Sequence, residues 1–311
     1  MTASNIPWPA KTREVQTAIF DSTRWNSFEH RDGDVIVVTW SKAGTTWMQQ
    51  IVCQLLRGAP ESLVGFEDSP WLDFRPIPLD VVVRSLEAQP GRRCIKTHLP
   101  VEALPYSPRA KYVYIGRDAR DVVWSAYDHQ ASFTKEALEM FNMLPGRVGP
   151  PVTHPPTDVR SAYHHFLEHG EMPGLRISNF WAHVQGWWNV RTLRNVLLVH
   201  FNDLKADLNA EARRIAEFLE VEIDDARWPA LLEHCGFDYM HRAAAKLHEL
   251  DRVFVRGGQS LVHKGTNGRW RDVLTREEVD KCDEVASKML TPDCARWLKT
   301  GNGVRGGEGA A

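Results

Sequence analysis

The chain has 311 residues, 43% of them hydrophobic and twelve of them tryptophan, enough apolar material for a large core. Its 38 lysines and arginines against 40 aspartates and glutamates leave a formal net charge of −2. This excludes a general positive field for non-specific nucleic-acid binding, so a polyanionic ligand has to be met by local cations. Cys53, Cys94, Cys235, Cys282 and Cys294 are scattered, odd in number and without metal-type spacing, which fits a reducing compartment. The N-terminus has no basic region followed by an apolar run, and no apolar stretch approaches the ~20 residues that span a bilayer. A cytoplasmic protein with no membrane span is expected.

Residues 1–34 read as an N-terminal arm with a helix over 13–20. An apolar, β-branched strand is predicted at 35–40, ending at Ser41-Lys42-Ala43-Gly44-Thr45-Thr46-Trp47, and a helix follows over 45–57. Residues 60–92 read as irregular and carry Phe66, Trp71 and Phe74. Further strands are expected at 93–97, 111–116 and 195–200, and helices at 119–130, 179–193, 209–220, 226–235 and 276–290. The Gly-, Pro- and His-rich segment 131–178 reads as a long irregular insertion, an acceptor-site lid. Alternating strands and helices predict a single α/β domain over 1–300, with a mainly parallel central sheet flanked by helices and a flexible tail at 301–311. Ligands of such sheets sit beyond the carboxyl ends of the strands, which is where Lys42, His98 and Arg117 fall.

The turn after the first strand predicts a phosphate cradle. A helix N-terminus offers N–H groups and a positive dipole end, Thr45 and Thr46 add hydroxyls, Lys42 adds a charge, and Gly44 permits close backbone approach. The nucleotide loop G-x-x-x-x-G-K-[ST] does not fit, because Lys42 precedes Gly44 and the first glycine is missing.

Ser41-Lys42-Ala43-Gly44-Thr45-Thr46-Trp47 resembles instead the P-loop-like phosphosulfate-binding loop P-K-S-G-T-T-W of the cytosolic sulfotransferases, with Ser41 for Pro and Ala43 for Ser. Three later segments resemble the same family in the same order. Lys96-Thr97-His98-Leu99-Pro100 is similar to K-T-H-L-P. Arg117 and Ser125 have the spacing of the family's arginine and serine on the 3′-phosphate. His263-Lys264-Gly265-Thr266-Asn267-Gly268-Arg269-Trp270 is similar to R-K-G-x-x-G-x-W, with His263 in the place of arginine.

The resemblance implies transfer of a sulfuryl group from 3′-phosphoadenosine-5′-phosphosulfate (PAPS) to a hydroxyl or amine of a small acceptor, leaving 3′-phosphoadenosine-5′-phosphate (PAP), with no metal. It implies His98 as general base, and Lys42 and Lys96 as catalytic cations. Lys42, Ala43, Gly44, Thr45 and Thr46 would hold the 5′-phosphate, and Arg117, Ser125, His263, Lys264 and Gly265 the 3′-phosphate. Trp47 and Phe237 would hold adenine, although the family's T-S-F reads here as Cys235-Gly236-Phe237. Phe66, Trp71, Phe74 and Phe133 suggest an apolar or aromatic acceptor.

Blander readings stand beside these. Lys42 is also acceptable as a turn lysine and His98 as a structural histidine, while Asp118 and Asp121 read as caps rather than catalysts. His165 and His169, four apart, have metal-ligand spacing without a convincing third ligand. Trp187 and Trp188 read as core. Residues 271–280 occupy the place of the family's dimerisation motif in degenerate form, which leaves a homodimer open; Thr275 and Glu278 equally form a capping box. A nucleotide-dependent kinase would need a lysine directly before Ser or Thr and an acidic residue for magnesium. A non-catalytic nucleotide-binding protein is the third reading.

Overall fold

In the computed structural model, which describes residues 10–58 and 60–301, four parallel strands form one sheet in the order β2-β1-β3-β4. They are β1 (Val35–Val38), β2 (Cys94–Thr97), β3 (Lys111–Gly116) and β4 (Val196–His200). Val35 pairs with Cys94 on one side and Lys111 on the other, and Tyr112 pairs with Val196. The β-branched run Val-Ile-Val-Val is fully buried because both sheet faces are covered. Ile36, Val38, Ile95 and Tyr114 face one hydrophobic cluster, and Val35, Val37, Val113 and Ile115 face the other.

The helices, in chain order, are α1 (Thr45–Arg57), α2 (Leu79–Ala88), α3 (Ala119–Ala131), α4 (Lys135–Asn142), α5 (Val159–His169), α6 (Phe180–Asn189), α7 (Phe201–Ala206), α8 (Leu208–Leu219), α9 (Trp228–His234), α10 (Phe237–Ala244), α11 (Arg276–Met289) and α12 (Pro292–Thr300). Asp118 caps α3 by accepting from the Arg120 amide, and Thr275 with Glu278 forms the capping box that opens α11. Asp121, by contrast, accepts from the Gly268 amide at 2.6 Å, so it ties a distant loop to α3. Trp187 and Trp188 are buried. His164 bonds to Glu278, and His165 stacks on His169.

Three expectations are corrected. Residues 13–20 are not helical. The Thr17 hydroxyl takes the Ile19 and Phe20 amides, and the Asp21 amide goes to the Asp73 carbonyl. Those bonds commit the backbone to a loop–loop pairing, Phe20 with Phe74, in place of i→i−4 bonds. Residues 60–92 contain α2, which starts directly after Pro78. The segment 131–178 contains α4 and α5. Thr134 and Asp158 cap them, and Ala162, Tyr163, Phe166 and Leu167 form one buried stripe on α5. Of the expected tail, Gly301 closes α12, and residues 302–311 lie outside the described residues.

In this strand order the chain leaves β1 for β2 on one side and returns to β3 on the other, so a crevice opens at the carboxyl ends of β1 and β3. The turn after β1, the stretch after β2 and the start of α3 all meet there.

Candidate active site

A cavity of about 530 Å³ occupies this crevice. Lys42, Gly44, Thr45, Thr46, Trp47, Lys96, His98, Arg117, Ser125, Phe237, His263, Lys264 and Gly265 all contribute to its wall. Ala43 lies one layer back, its side chain in the core and its amide donating to the Trp40 carbonyl at 3.3 Å.

The turn after β1 has an unusual backbone. Lys42 has φ 68°, a left-handed conformation that is costly for a side chain bearing Cβ, and Gly44 has φ 122° as the residue that caps α1. A Cβ on Gly44 would meet the Ile115 side chain at 2.7 Å. The α1 amides therefore open onto the cavity behind a glycine that no other residue replaces without strain.

His98 is almost fully buried at the end of β2, its ring edge-on to Trp71 with centroids 4.8 Å apart. Its Nδ1 lies 2.7 Å from the Thr39 carbonyl oxygen. A carbonyl only accepts, so the proton is on Nδ1, and Nε2 keeps its lone pair. Burial, reinforced by the nearby Lys96, depresses the imidazole well below its ordinary pKa. It stays neutral through the physiological range.

Two ammonium groups share this end of the cavity. Lys96 lies 4.0 Å above the Trp71 ring, a cation–π contact, and Trp71 is itself fixed by donation from its indole to Asp73 at 3.0 Å. Burial and the neighbouring Lys42 pull Lys96 down to about 7. Burial and Arg117 pull Lys42 down to about 8. Neither lysine forms a salt bridge with a carboxylate among the described residues. Asp73 accepts from the indoles of Trp25 and Trp71, and Asp128 pairs with Arg269 at 2.5 Å and His263 at 3.4 Å. Such a cluster of cations suits a polyanion.

A prediction follows from the sign of these shifts. In the ligand-free protein at about pH 8.5, Lys96 is mostly neutral and Lys42 largely so. An anion raises both values, so binding takes up about one to two protons, and affinity falls as pH rises from about 7 to 9. Titration calorimetry of PAP in buffers of different ionisation enthalpy measures this uptake directly. Zero uptake, or release, contradicts the charge assignment.

At the other end, Arg117 follows β3. Its guanidinium donates to Asn267 Oδ1 at 2.6 Å and to the Thr266 carbonyl at 3.0 Å, and lies 4.1 Å over the Phe201 ring. It thereby anchors the 263–270 loop, which the Asp121–Gly268 bond also holds. Trp47 donates its indole N–H to the Cys235 carbonyl at 2.8 Å, fixing the ring at the wall. Phe237 stacks on His241, and Gly265, at φ 61°, lacks the Cβ that would collide with the Phe237 ring. Phe66, Trp71, Phe74 and Phe133 line the apolar side, joined by Phe141, Leu175 and Phe254.

A family model described as "Sulfotransferase domain" matches residues 32–293. The chain belongs to the sulfotransferase family. This sulfotransferase is 29% identical to a glycolipid sulfotransferase of Mycobacterium tuberculosis over 326 aligned positions, covering 96% of this chain and 97% of the relative. It is 25% identical to human sulfotransferase 1C2, covering 92% and 95%. Among solved structures, mouse sulfotransferase SULT7A1 complexed with PAP shares the fold at a TM-score of 0.66 and 22% identity, with 89% and 90% covered. Retinol dehydratase in complex with retinol and PAP does so at 0.67 and 21%, with 87% and 84% covered.

Several wall residues of this sulfotransferase escaped sequence reasoning: Phe20, His129, Phe201, Lys205 and Phe254. His129 had a usable signal, since it lies four residues after Ser125 on the same helix and so on the same face. Phe20 and Phe254 had none, because only tertiary packing brings their loops to the cavity. No helix among the described residues is long and apolar enough to cross a membrane.

Proposed function

We propose that this sulfotransferase uses PAPS and transfers its sulfuryl group to a hydroxyl or amine of a small, apolar or aromatic acceptor in the cytoplasm, with His98 as general base. The observation that carries the reading is the single cavity bordered by Lys42, His98 and Arg117 at three neighbouring strand ends, with His98 anchored through Nδ1. The residues fit the nucleotide chemically. Lys42 and Lys96, outside any salt bridge among the described residues, and the amides behind Gly44 suit the 5′-phosphate end, while Arg117, Ser125 and Lys264 suit the 3′-phosphate. Solved structures of the same fold were obtained with PAP bound, which supports the same choice here.

In this reading Nε2 of His98 accepts the proton of the attacking O–H or N–H. The acceptor atom bonds to sulfur, the sulfur–oxygen bond to the phosphate breaks, and its electron pair stays on the phosphate oxygen. Lys42 neutralises the charge that grows there, and Lys96 faces the transferring group. The segment 131–178 serves as the acceptor-side cover: Phe133, Met140, Phe141, Leu175 and Ile177 from it line the cavity.

The test is turnover with PAPS across a panel of phenols, steroids and lipid alcohols, read by the sulfonate mass increment. Parallel reactions contain ATP, with and without EDTA. Sulfonated product independent of EDTA is expected; metal-dependent ATP consumption without such product rejects the proposal. Arg117→Ala separates the binding role from the chemical one. It removes the charge on the 3′-phosphate side and the anchor of the 263–270 loop, so PAP affinity drops by about ten-fold or more in calorimetry. An unchanged affinity places the 3′-phosphate elsewhere.

A further inference from the structure

His129 is a polar group in an otherwise aromatic stretch of the cavity wall. Its ring packs against the stacked pair Phe133 and Phe254, with centroids at 5.1 and 5.0 Å, and is half-buried and borders the cavity. Nδ1 is sealed from water and has no hydrogen-bond partner among the described residues. A neutral imidazole carries one proton, and a sealed N–H without an acceptor is costly. The proton is therefore held on Nε2, the nitrogen through which the ring can meet what fills the cavity. Ser125 lies one helical turn earlier on the same face of α3, and Phe133, beyond the end of the helix, belongs to the apolar wall. His129 thus stands where the phosphate-facing side of α3 gives way to the acceptor side.

We propose that His129 is a specificity-determining residue, presenting a neutral N–H donor that takes a second, uncharged oxygen of the acceptor besides the one that is sulfonated. This rests on the sulfotransferase reading above and deepens it. The acceptor class is an aromatic or otherwise apolar body with a hydroxyl, carbonyl or ether oxygen some distance from the transferred position. Burial and the nearby charges of Lys42 and Lys96 hold His129 well below its ordinary pKa, so it offers a hydrogen bond rather than a positive charge. The described residues offer the sealed Nδ1 no hydrogen-bond partner.

The experiment uses the full chain saturated with PAP, with naphthols titrated by calorimetry. The probes are 2-naphthol and a set of dihydroxynaphthalene isomers that place a second hydroxyl at different positions. The proteins are the wild type, His129→Phe, which fills the same space without a donor, and His129→Gln, which restores an N–H. In the wild type at least one isomer is expected to bind about ten-fold more tightly than 2-naphthol, the gain of one well-made hydrogen bond. His129→Phe loses most of that advantage, and His129→Gln recovers part of it. The proposal is overturned if no isomer gains over 2-naphthol, if the gain survives in His129→Phe, or if no naphthol binds the PAP complex. Failure of the wild type to bind PAP overturns the sulfotransferase site itself, a separate result obtained in the first titration. Retained PAP binding by the two variants shows that they are folded.

Discussion

His98→Ala is expected to lower turnover with PAPS by about 10²–10⁴, the usual worth of a positioned general base, while PAP affinity stays nearly unchanged. The division follows from geometry. His98 meets the protein through Nδ1 and the Thr39 carbonyl, and its other nitrogen is unprotonated. Alanine removes the proton acceptor and leaves the α1 amides and Arg117 in place. Stopped-flow or steady-state kinetics beside calorimetry makes the comparison. If PAP affinity collapsed as well and turnover at saturating nucleotide recovered, His98 would be a binding or structural group rather than a base. Because burial keeps the imidazole neutral, no loss of activity from His98 protonation is expected between about pH 6 and 8.

Lys42→Met is expected to cost about 10²–10³ in turnover, with a smaller loss in PAP affinity, because the charge it meets is largest when the sulfur–oxygen bond is breaking. Methionine keeps a long apolar stem at a position with positive φ, so the backbone strain is the same in both proteins. Lys42→Arg is not expected to rescue: a planar guanidinium cannot replace a point charge in a turn this tight. The wild-type kcat/KM for PAPS should also decline as pH rises through about 8, where Lys42 loses its proton in the ligand-free enzyme. A variant with equal losses in turnover and PAP affinity would assign Lys42 to uniform nucleotide binding.

Much of the turn between β1 and α1 was legible in the sequence because backbone chemistry dictates it. A β-branched run, then Lys42-Ala43-Gly44-Thr45, then a helical period can hardly fold otherwise, and Asp118 and Thr275 were readable as caps from their spacing to the residues they serve. The aromatic side of the cavity was less legible. Helices α2 and α4 are only ten and eight residues long and lie among prolines and glycines, so their period is too short to stand out. The 13–20 stretch has helical spacing, yet the Thr17 hydroxyl and the Asp73 backbone capture the amides that a helix needs. Phe254 reaches the wall through a bridge to Phe133 across more than a hundred residues, which no local pattern announces.

The pairing of the N-terminal arm with the loop before β2 reaches further than its length suggests. Phe20 sits 5.3 Å from Trp71, Trp25 donates to Asp73 at 3.1 Å, and Arg24 donates to the Phe74 carbonyl at 2.7 Å. Asp73 and Trp71 are in turn the supports beneath Lys96 and beside His98. The recognised family region begins only at residue 32, so an excision drawn at that boundary would keep every motif that resembles the family's and still remove the support under Trp71 and Lys96. Such a shortened protein is expected to retain measurable PAP binding while losing most of its turnover. In this reading the opening stretch buttresses the proposed reaction centre, and full turnover by the trimmed form would show it to be mere packaging.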